Sequence, residues 1–221
     1  MNMQEILKGT NLIKKYGNQV VLNKLSISVT QGEFITITGR SGSGKSTLLK
    51  CLGSMLKPDS GEVILDGEDL YKLQEKKLCQ VRNNKFGFIF QTFALENKYT
   101  AFENIEIPLI LSGGIKKKER IERINSLAKQ LNIDNILNKS AGGLSGGEKQ
   151  RVAIARAVIN NPEILFADEP CGNLDRYNGE VIMGIFKQLV QSGFTILMVT
   201  HQEEDALLAD RIIRMEDGKF L

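Results

Sequence analysis

The sequence contains no tryptophan, a single histidine, three cysteines and four prolines. The cysteines, Cys51, Cys79 and Cys171, are too far apart for a zinc-binding spacing, and an odd number of thiols argues against a secreted disulfide framework. No sign of charge dominates, because 29 Lys and Arg against 26 Asp and Glu leave a formal charge of +3. This balance gives no electrostatic reason to expect nucleic acid as a partner. We therefore expect a cytoplasmic protein with no nucleic-acid partner.

Long apolar runs are also missing. No stretch approaches the ~18 apolar residues that cross a bilayer, and no secretory signal pattern precedes the polar residues at the N-terminus. With 42% apolar and 25% charged residues, the composition excludes disordered and collagen-like chains. A chain of 221 residues forms one large domain or two small ones. The composition predicts a soluble globular chain with a substantial core.

Strand and helix patterns alternate on both sides of a long helical segment. A helix is predicted over 46–56 and another from Glu148 to Ile159. Together with the strands, this alternation predicts a parallel sheet covered by helices on both faces. Short apolar strands are predicted at 25–29, 34–38, 63–65, 86–90, 164–167, 194–199 and 211–213.

The segment between Thr92 and Gly143 has no strand pattern. Thr100 and Glu103 have the spacing of a capping box, which predicts the start of a helix. Pro108 is expected to kink that helix, and the glycine pair 113–114 is expected to end it. We interpret this segment as helical.

A glycine-rich loop follows the strand at 34–38 and precedes a helix. Its pattern, G-x-x-x-x-G-K-[ST], lets backbone N–H groups surround phosphate oxygens, while the helix N-terminus adds positive potential. Lys45 is expected to reach the β- and γ-phosphates, and the Ser46 hydroxyl to bind Mg²⁺. The predicted nucleotide-binding residues are Gly39, Arg40, Ser41, Gly42, Ser43, Gly44, Lys45, Ser46 and Thr47.

An acidic pair ends the apolar strand at 164–167. Ligands of parallel sheets bind at the carboxyl ends of the strands, which is where Asp168 and Glu169 lie. We expect Asp168 to hold Mg²⁺ and Glu169 to polarise an attacking water, and this pairing favours hydrolysis. His201 follows another apolar strand and is predicted to lie at the same edge of the sheet.

The segment Leu144–Glu148, LSGGE, has an S-x-x-E capping box at the start of a predicted helix. Two adjacent glycines cost about 1 kcal/mol each inside a helix, so at a helix start they favour close approach of a ligand to the backbone. A capped helix without a ligand is the simpler alternative.

With these motifs in order from Tyr16 to His201, the chain resembles the ABC ATPase family, specifically the nucleotide-binding subunit of an ABC transporter. The resemblance implies an α/β fold: a RecA-like P-loop NTPase core with an N-terminal antiparallel β subdomain and an inserted α-helical subdomain. It implies a single domain over 1–221. In that domain, 1–91 and 146–221 form the β subdomain and core, and about 92–145 form the helical subdomain.

The resemblance also assigns roles to residues. LSGGE resembles the family signature, so Ser145, Gly146 and Gly147 are implied to contact ATP bound to a second copy of the chain in a head-to-tail dimer. Glu148 stands where the family more often has glutamine. Gln91 matches the glutamine that reaches Mg²⁺ and water.

Three further matches complete the implied site. Tyr16 matches the aromatic residue that stacks on adenine, which is worth roughly 1–3 kcal/mol per base. Asp175 matches the residue that couples the two sites across the dimer. His201 matches the switch histidine, which is implied to hydrogen-bond the γ-phosphate and to position Glu169 and the water. The implied catalytic residues are Lys45, Gln91, Glu169 and His201.

The segment 169–175, EPCGNLD, resembles the EPTGNLD of subunits that serve macrolide exporters, lipoprotein-releasing complexes, antimicrobial-peptide transporters and the cell-division ABC complex. Cys171 replaces the usual threonine. The implied function is ATP hydrolysis with Mg²⁺, which drives a separate transmembrane permease for export or extracytoplasmic release of a peptide, drug or lipoprotein. The subunit is implied to lie on the inner face of the cell membrane through that permease, which contacts residues 92–108.

Alternatives remain open at this point. A soluble ABC ATPase of DNA repair or translation is one, although about 100 residues between Lys45 and Leu144 are too few for a long coiled coil plus the helical subdomain. A regulator of cell division is a second. A regulatory module that binds ATP without turnover is a third, against which intact Lys45, Asp168, Glu169 and His201 argue.

Overall fold

A computed structural model describes residues 4–221. In this part of the chain, ten strands form two sheets, and seven α-helices accompany them. The strands are β1 (Glu5–Tyr16), β2 (Gln19–Thr30), β3 (Phe34–Thr38), β4 (Ser60–Leu65), β5 (Glu68–Asp69), β6 (Phe86–Phe90), β7 (Ile164–Asp168), β8 (Thr195–Thr200), β9 (Arg211–Glu216) and β10 (Lys219–Phe220). The helices are α1 (Lys45–Leu52), α2 (Glu75–Asn84), α3 (Ala101–Ser112), α4 (Lys117–Gln130), α5 (Gly146–Val158), α6 (Arg176–Gln191) and α7 (Glu203–Ala206).

The first sheet is antiparallel, with strand order β2-β1-β4-β5. Apolar residues of β1 and β2, such as Leu7, Leu22 and Val29, are fully buried, while the intervening polar residues face outward. This sheet confirms the implied N-terminal antiparallel β region.

The second sheet has the order β10-β9-β3-β8-β7-β6, and all its pairs are parallel except that of β10 with β9. In the register of this sheet, Thr38 pairs with Thr200, and Asp168 pairs with Val199. The carboxyl ends of β3, β7 and β8 therefore meet at one edge. The glycine-rich loop, Glu169 and His201 all leave the sheet at that edge, as predicted.

Helices and the antiparallel sheet cover the two faces of the parallel sheet. Along β7, Leu165 and Ala167 belong to one apolar cluster, whereas Ile164 and Phe166 belong to the other. Because the first four residues of β7 are all buried and alternate between the two clusters, both faces of the parallel sheet are covered, as expected. The result is a sheet held rigidly between two cores, which fixes the positions of its strand ends.

The segment between Thr92 and Gly143 is helical and contains α3 and α4. Thr100 and Glu103 form the predicted capping box at the start of α3, and the helix ends before Gly113. The helix runs on through Pro108 for another turn. No helix among residues 4–221 is long and apolar enough to cross a membrane.

Several element bounds differ from the sequence predictions. α1 ends at Leu52, four residues before the predicted end at residue 56, because Gly53 caps it and Ser54 takes a left-handed φ of 58°. α5 begins at Gly146, two residues early, because Ser145 caps it. β1 and α2 were not predicted, since β1 is interrupted by polar residues and register shifts and α2 buries only Leu78.

Candidate active site

A cleft of about 640 Å³ opens at the carboxyl edge of the parallel sheet. Most of the residues predicted to bind nucleotide or to act on it face this one cleft. Tyr16 lies at its rim with half of its side chain exposed, available to stack on a flat ring. The lining consists of Tyr16, Val21, Ser41, Gly42, Gly44, Lys45, Ser46, Thr47, Gln91, Glu169 and His201.

The glycine-rich loop presents the N-terminus of α1 to the cleft. Gly44 caps the helix with φ of 102°, and a Cβ there would lie 2.6 Å from the Val21 carbonyl oxygen, so only glycine fits. The first turn carries no acidic residue and no side-chain cap, which leaves its N–H groups free to bind an anion. The buried Lys45 ammonium donates hydrogen bonds to the carbonyls of Gly39 at 2.8 Å and Arg40 at 3.0 Å.

Ser46 and Asp168 meet at the floor of the cleft. The Ser46 Oγ donates a hydrogen bond of 2.6 Å to Asp168 Oδ1, joining the first turn of α1 to the end of β7. A hydroxyl and a carboxylate are oxygen ligands of the kind Mg²⁺ prefers when nucleotide phosphates and water supply the remainder. Residues 4–221 contain no group of three His, Cys, Asp or Glu side chains that could hold a metal by themselves. The pair therefore fits a magnesium ion shared with a nucleotide.

Glu169 and His201 form a hydrogen-bonded pair. The Nδ1 atom of His201 lies 2.8 Å from Glu169 Oε2, and the His201 backbone N–H donates to the same oxygen at 3.3 Å. Because a carboxylate only accepts, Nδ1 carries the proton in this contact and Nε2 is left free. The Glu169 side chain is 15% exposed, whereas that of His201 is 57% exposed. The arrangement aims a largely enclosed carboxylate and an orienting imidazole at the cleft.

The backbone at Glu169 is held in an uncommon conformation. Its φ of 49° is left-handed for a residue with a Cβ, and its N–H donates to the Val199 carbonyl at 2.9 Å. Such a conformation costs of order 1–3 kcal/mol and persists only where the surroundings impose it. The hydrogen bond to β8 is one such constraint, and it holds Glu169 beside the strand that His201 follows.

Gln91 leaves β6 and contacts the loop that follows Glu169. Its Nε2 donates to Asn173 Oδ1 at 3.4 Å, and Asn173 Nδ2 donates to the Gln91 carbonyl at 2.9 Å. Sequence reasoning assigned no role to Asn173. The only feature of the sequence that pointed to Asn173 was its place in the segment 169–175. Its contact with Gln91 could not be predicted, because it depends on β6 and β7 being neighbours in the sheet.

The signature segment lies away from this cleft. Ser145 and Glu148 form the predicted capping box, in which the Ser145 backbone N–H donates to Glu148 Oε2 at 2.8 Å and the Glu148 backbone N–H donates to Ser145 Oγ at 3.3 Å. Hydrogen bonding from the Ser145 backbone and side chain lowers the pKa of the Glu148 carboxyl. A Cβ at Gly147 would lie 2.1 Å from Asn178 Oδ1 of α6, so any larger residue there would force the Asn178 side chain to move. Gly147 is buried against Asn178 within one chain, and contact of the two glycines with nucleotide on a second copy stays a prediction. At Gly146, a Cβ would meet its nearest neighbour at an ordinary 3.4 Å.

Asp175 caps α6. Its carboxylate accepts hydrogen bonds from the Asn178 backbone N–H at 2.9 Å and from Asn178 Nδ2 at 2.8 Å, and these bonds lower its pKa. Asn178 therefore connects Asp175 to Gly147. Sequence reasoning did not identify Asn178, because its importance comes from the packing of α6 on α5.

Two further residues connect the signature helix to the cleft, and neither was found from the sequence. The buried Gln150 donates from Nε2 to the Pro170 carbonyl at 2.7 Å, next to Glu169. Arg156 donates to the carbonyls of Phe93 and Ala94 at 3.1 Å and 2.6 Å, just after Gln91. Burial lowers the pKa of Arg156. α5 is thus tied to both loops that border the cleft.

Some predicted residues do not face the cleft. Gly39 packs against the Met215 carbonyl, Ser43 is buried, and the Arg40 side chain is 90% exposed, 4.0 Å from Glu216. Asp168 lies behind Ser46. The predicted site residues outside the lining are Gly39, Arg40, Ser43, Ser145, Gly146, Gly147, Asp168 and Asp175.

Comparison with known proteins supports the same interpretation. The family model described as ABC transporter matches residues 22–172. The lipoprotein-releasing system ATP-binding protein LolD of Aquifex aeolicus is 46% identical over 219 residues, covering 99% of this chain and 97% of that protein. The macrolide export ATP-binding/permease protein MacB of Vibrio parahaemolyticus is 40% identical over 220 residues. That match spans 98% of this chain but only 34% of the longer MacB protein.

Solved structures agree with these relatives. The dimeric structure of MJ0796, a bacterial ABC transporter cassette, superposes with a TM-score of 0.90 at 40% identity, covering 97% of this chain and 96% of that one. A post-hydrolysis dimer of MJ0796 bound to ADP and Pi has the same TM-score and coverage at 39% identity. The motifs, the fold and these likenesses together show that the chain belongs to the ABC transporter family, as an ATP-hydrolysing cassette of that family.

Proposed function

We propose that the chain works as two copies, which close head to tail on two ATP molecules and drive a separate transmembrane permease. The observation that best supports this proposal is that one chain holds only part of the predicted site in a single cleft. Lys45, Ser46, Glu169 and His201 share a cleft, whereas Ser145 to Gly147 lie outside it. A second copy that supplied its signature helix would complete the site. The MJ0796 cassette, which is dimeric, supports this assembly.

In the proposed site, the chain binds ATP along the length of the cleft. Tyr16 stacks on adenine, and the loop from Ser41 to Thr47 holds the phosphates through backbone N–H groups. Lys45 exchanges its loop carbonyls for phosphate oxygens. Ser46, Asp168 and Gln91 would hold Mg²⁺, which neutralises charge on the phosphates. The chain thereby places the terminal phosphate beside Glu169.

The hydrolytic step uses the Glu169–His201 pair. Glu169 accepts a proton from the attacking water, while His201, fixed through its Nδ1–H, donates to the γ-phosphate through the Nε2–H of a protonated imidazole, in which both ring nitrogens are donors. Gln91 and Asn173 link this site to the helical subdomain proposed at about 92–145. Asp175, held by Asn178 beside the signature helix, is placed to couple the two sites of a dimer.

A groove beside the Gln91 segment is the proposed contact for the permease. It has a volume of about 320 Å³ and lies between β6, α2, α3 and α5. Its lining includes the apolar side chains of Met55, Phe88, Phe90, Ala94 and Pro108. We propose that this contact holds the subunit at the inner face of the membrane. The relatives named for lipoprotein release and macrolide export favour export or extracytoplasmic release of a lipoprotein, drug or peptide.

The permease contact has its own test. Charge-introducing substitutions of Met55 and Ala94 at the groove are expected to weaken complex formation with the permease and its coupling to turnover. Basal ATP hydrolysis by the free subunit serves as the control, and it is expected to persist. An unchanged complex with full coupling would remove the groove from the proposal.

The decisive experiment on the reaction is Glu169→Gln. The amide cannot accept the proton of water, so turnover is expected to fall at least about 100-fold while ATP binding persists. The variant is expected to accumulate as an ATP-bound dimer, measured by size-exclusion chromatography with light scattering.

Glu163→Gln is the matched control. Glu163 precedes the first residue of the same strand, β7, at the opposite edge of the sheet, and it pairs with Lys85 at 3.2 Å. The same chemical change there is expected to leave turnover at the wild-type rate. Wild-type turnover by Glu169→Gln would remove Glu169 from its proposed role.

A further inference from the structure

A fully buried glutamine on the signature helix contacts the loop that carries Glu169. Gln150 lies in the second turn of α5, three residues after Gly147, and its side chain is closed off from solvent. Its Nε2 donates a hydrogen bond of 2.7 Å to the carbonyl of Pro170, the residue directly after Glu169. The contact therefore joins the helix that begins at the signature to the loop that follows β7.

The Gln150 amide is costly in this position. Its Oε1 atom is also buried and has no hydrogen-bond partner among residues 4–221. An unpaired buried polar atom destabilises the folded chain, because it gives up hydrogen bonds to water without replacement. Methionine or leucine would fill a similar space without an unpaired oxygen. The donation to Pro170 is therefore what distinguishes glutamine here.

Pro170 transmits this contact to Glu169. Pro170 is buried, and its ring fixes its φ angle. The Gly172 N–H donates to the Glu169 carbonyl at 3.0 Å, which closes a β-turn with Pro170 as its second residue. Because the ring is rigid and Gln150 holds its carbonyl, the peptide bond that follows Glu169 is held as well.

The backbone of Glu169 needs such support. A residue before proline is steered towards extended conformations with φ of roughly −120°, yet Glu169 has a φ of 49°. Two hydrogen bonds hold it from either side, its own N–H to the Val199 carbonyl at 2.9 Å and that of Gln150 to Pro170. Losing one of them would let the backbone relax. The carboxylate would then move from its place 2.8 Å from Nδ1 of His201.

We propose that Gln150 is a positioning residue, which holds Glu169 in its left-handed conformation through Pro170 and so keeps the carboxylate at the cleft. The proposal rests on the proposed function, in which Glu169 accepts the proton of the attacking water. Gln150 does not line the cleft and acts through Glu169. The end of α5 that would meet the nucleotide of a second copy is thereby linked to the base of its own chain.

The test replaces Gln150 by methionine in the full chain. Methionine keeps the approximate volume but has no donor, so kcat is expected to fall about tenfold, because a small misplacement of a reacting group is costly. The Kd for ATP is expected to stay within about twofold, since the lining of the cleft is unchanged. Gln150→Leu repeats the test with an apolar side chain of another shape and is expected to give the same loss. Phosphate release and titration with a fluorescent ATP analogue measure the two quantities.

Thr195→Val is the matched control. Thr195 is also fully buried, and its Oγ1 accepts a hydrogen bond of 2.9 Å from the Gly32 N–H, at the opposite end of β8 from His201. Valine removes this one bond, so the variant is expected to lower the unfolding temperature as Gln150→Met does and to keep wild-type kcat. An equal loss of kcat in both variants would indicate general destabilisation and would overturn the proposal.

A double variant distinguishes positioning from a purely structural role. A residue that acts only through the Glu169 carboxylate has nothing to position once that carboxylate is an amide. Gln150→Met is therefore expected to leave the residual turnover of Glu169→Gln unchanged, measured with radiolabelled ATP. A further loss in the double variant would overturn the proposal, as would an unchanged kcat in Gln150→Met alone.

The single variants also separate the two levels of inference. Wild-type turnover by Glu169→Gln would remove the proposed function. An inactive Glu169→Gln beside a fully active Gln150→Met would remove only the positioning role.

Discussion

The N-termini of α1 and α5 look alike in sequence but are built differently. Both helices follow or begin with glycine, and both belong to motifs that imply contact with phosphate. At α1, Gly44 provides no side-chain cap, and the free N–H groups face the cleft beside Lys45. At α5, Ser145 and Glu148 cap each other, and Gly147 packs on α6.

This difference indicates that the N-terminus of α1 binds a ligand within its own chain, whereas the N-terminus of α5 is stabilised by its own capping contacts. The α1 end keeps its polar groups available to a ligand in the same chain. The α5 end satisfies part of its own hydrogen-bonding capacity and is stable without a ligand. Its contacts through Gln150 and Arg156 reach back to the loops at Glu169 and Gln91. A helix end of this kind fits the proposed dimer, in which α5 of one copy would contact the nucleotide of the other copy. Its hydrogen bonds would couple that contact to the cleft of its own chain.

The largest effect is expected on the cleft side, from His201→Ala. Loss of the imidazole frees the Glu169 carboxylate and removes a donor to the γ-phosphate, so hydrolysis is expected to fall about 100-fold. Nucleotide binding is expected to persist, because Lys45 and the loop are intact. Phosphate release and equilibrium titration with a fluorescent ATP analogue measure the two quantities. Undiminished hydrolysis would make His201 a structural residue.

An intermediate effect is expected on the signature side, from Gly147→Ala. The added methyl group overlaps Asn178, and overpacking of this kind costs typically 1–3 kcal/mol. ATP-dependent dimerisation and turnover are expected to fall about tenfold, while ATP binding by the single chain is unchanged. Removing the overlap with Asn178→Ala is expected to recover part of the loss.

Gly184→Ala is the control for this change. Gly184 also lies in a helix, and a Cβ there meets nothing within 4 Å. It is expected to leave dimerisation unchanged. If Gly147→Ala lowered the ATP affinity of the single chain as much as it lowered dimerisation, the proposed difference in role between the N-termini of α1 and α5 would be contradicted.

The smallest effect compares two capping boxes of the same design. Thr100→Ala and Ser145→Ala each remove an N-cap, which costs about 1 kcal/mol of folding stability. Both variants are expected to unfold at slightly lower denaturant concentration. Only Ser145→Ala is expected to lower turnover as well, because Thr100 opens α3, away from the site. Equal turnover in the two variants would remove Ser145 from the ATP contact.

Much of the cleft could be predicted from the chain alone, because its parts are local. The loop 39–44 lies between an apolar strand and a helix, Asp168 ends a buried strand, and His201 directly follows another. Parallel strands place their carboxyl ends together, so these residues had to converge. The predicted capping boxes at Thr100 and Ser145 are confirmed for the same reason, since each depends on residues three positions apart.

The missed residues share a different cause. Asn173, Gln150 and Arg156 hydrogen-bond groups distant in sequence, as in the 62 positions between Arg156 and Ala94. Asn178 donates to Asp175, the cap of its own helix, but it packs on Gly147 of another helix. Their polarity and spacing follow no local pattern, so nothing in the sequence separates them from surface residues. β1 was missed because its polar residues break the alternation, and only pairing with β2 and β4 makes it a strand.

The sequence by itself determined the family, the nucleotide loop and the acids at the strand ends, because glycine spacing and apolar strands act over a few residues. The tertiary structure decided how these parts are connected. It placed Glu169 against His201 and packed Gly147 on Asn178. These contacts depend on which strands and helices become neighbours, which is a property of the whole core.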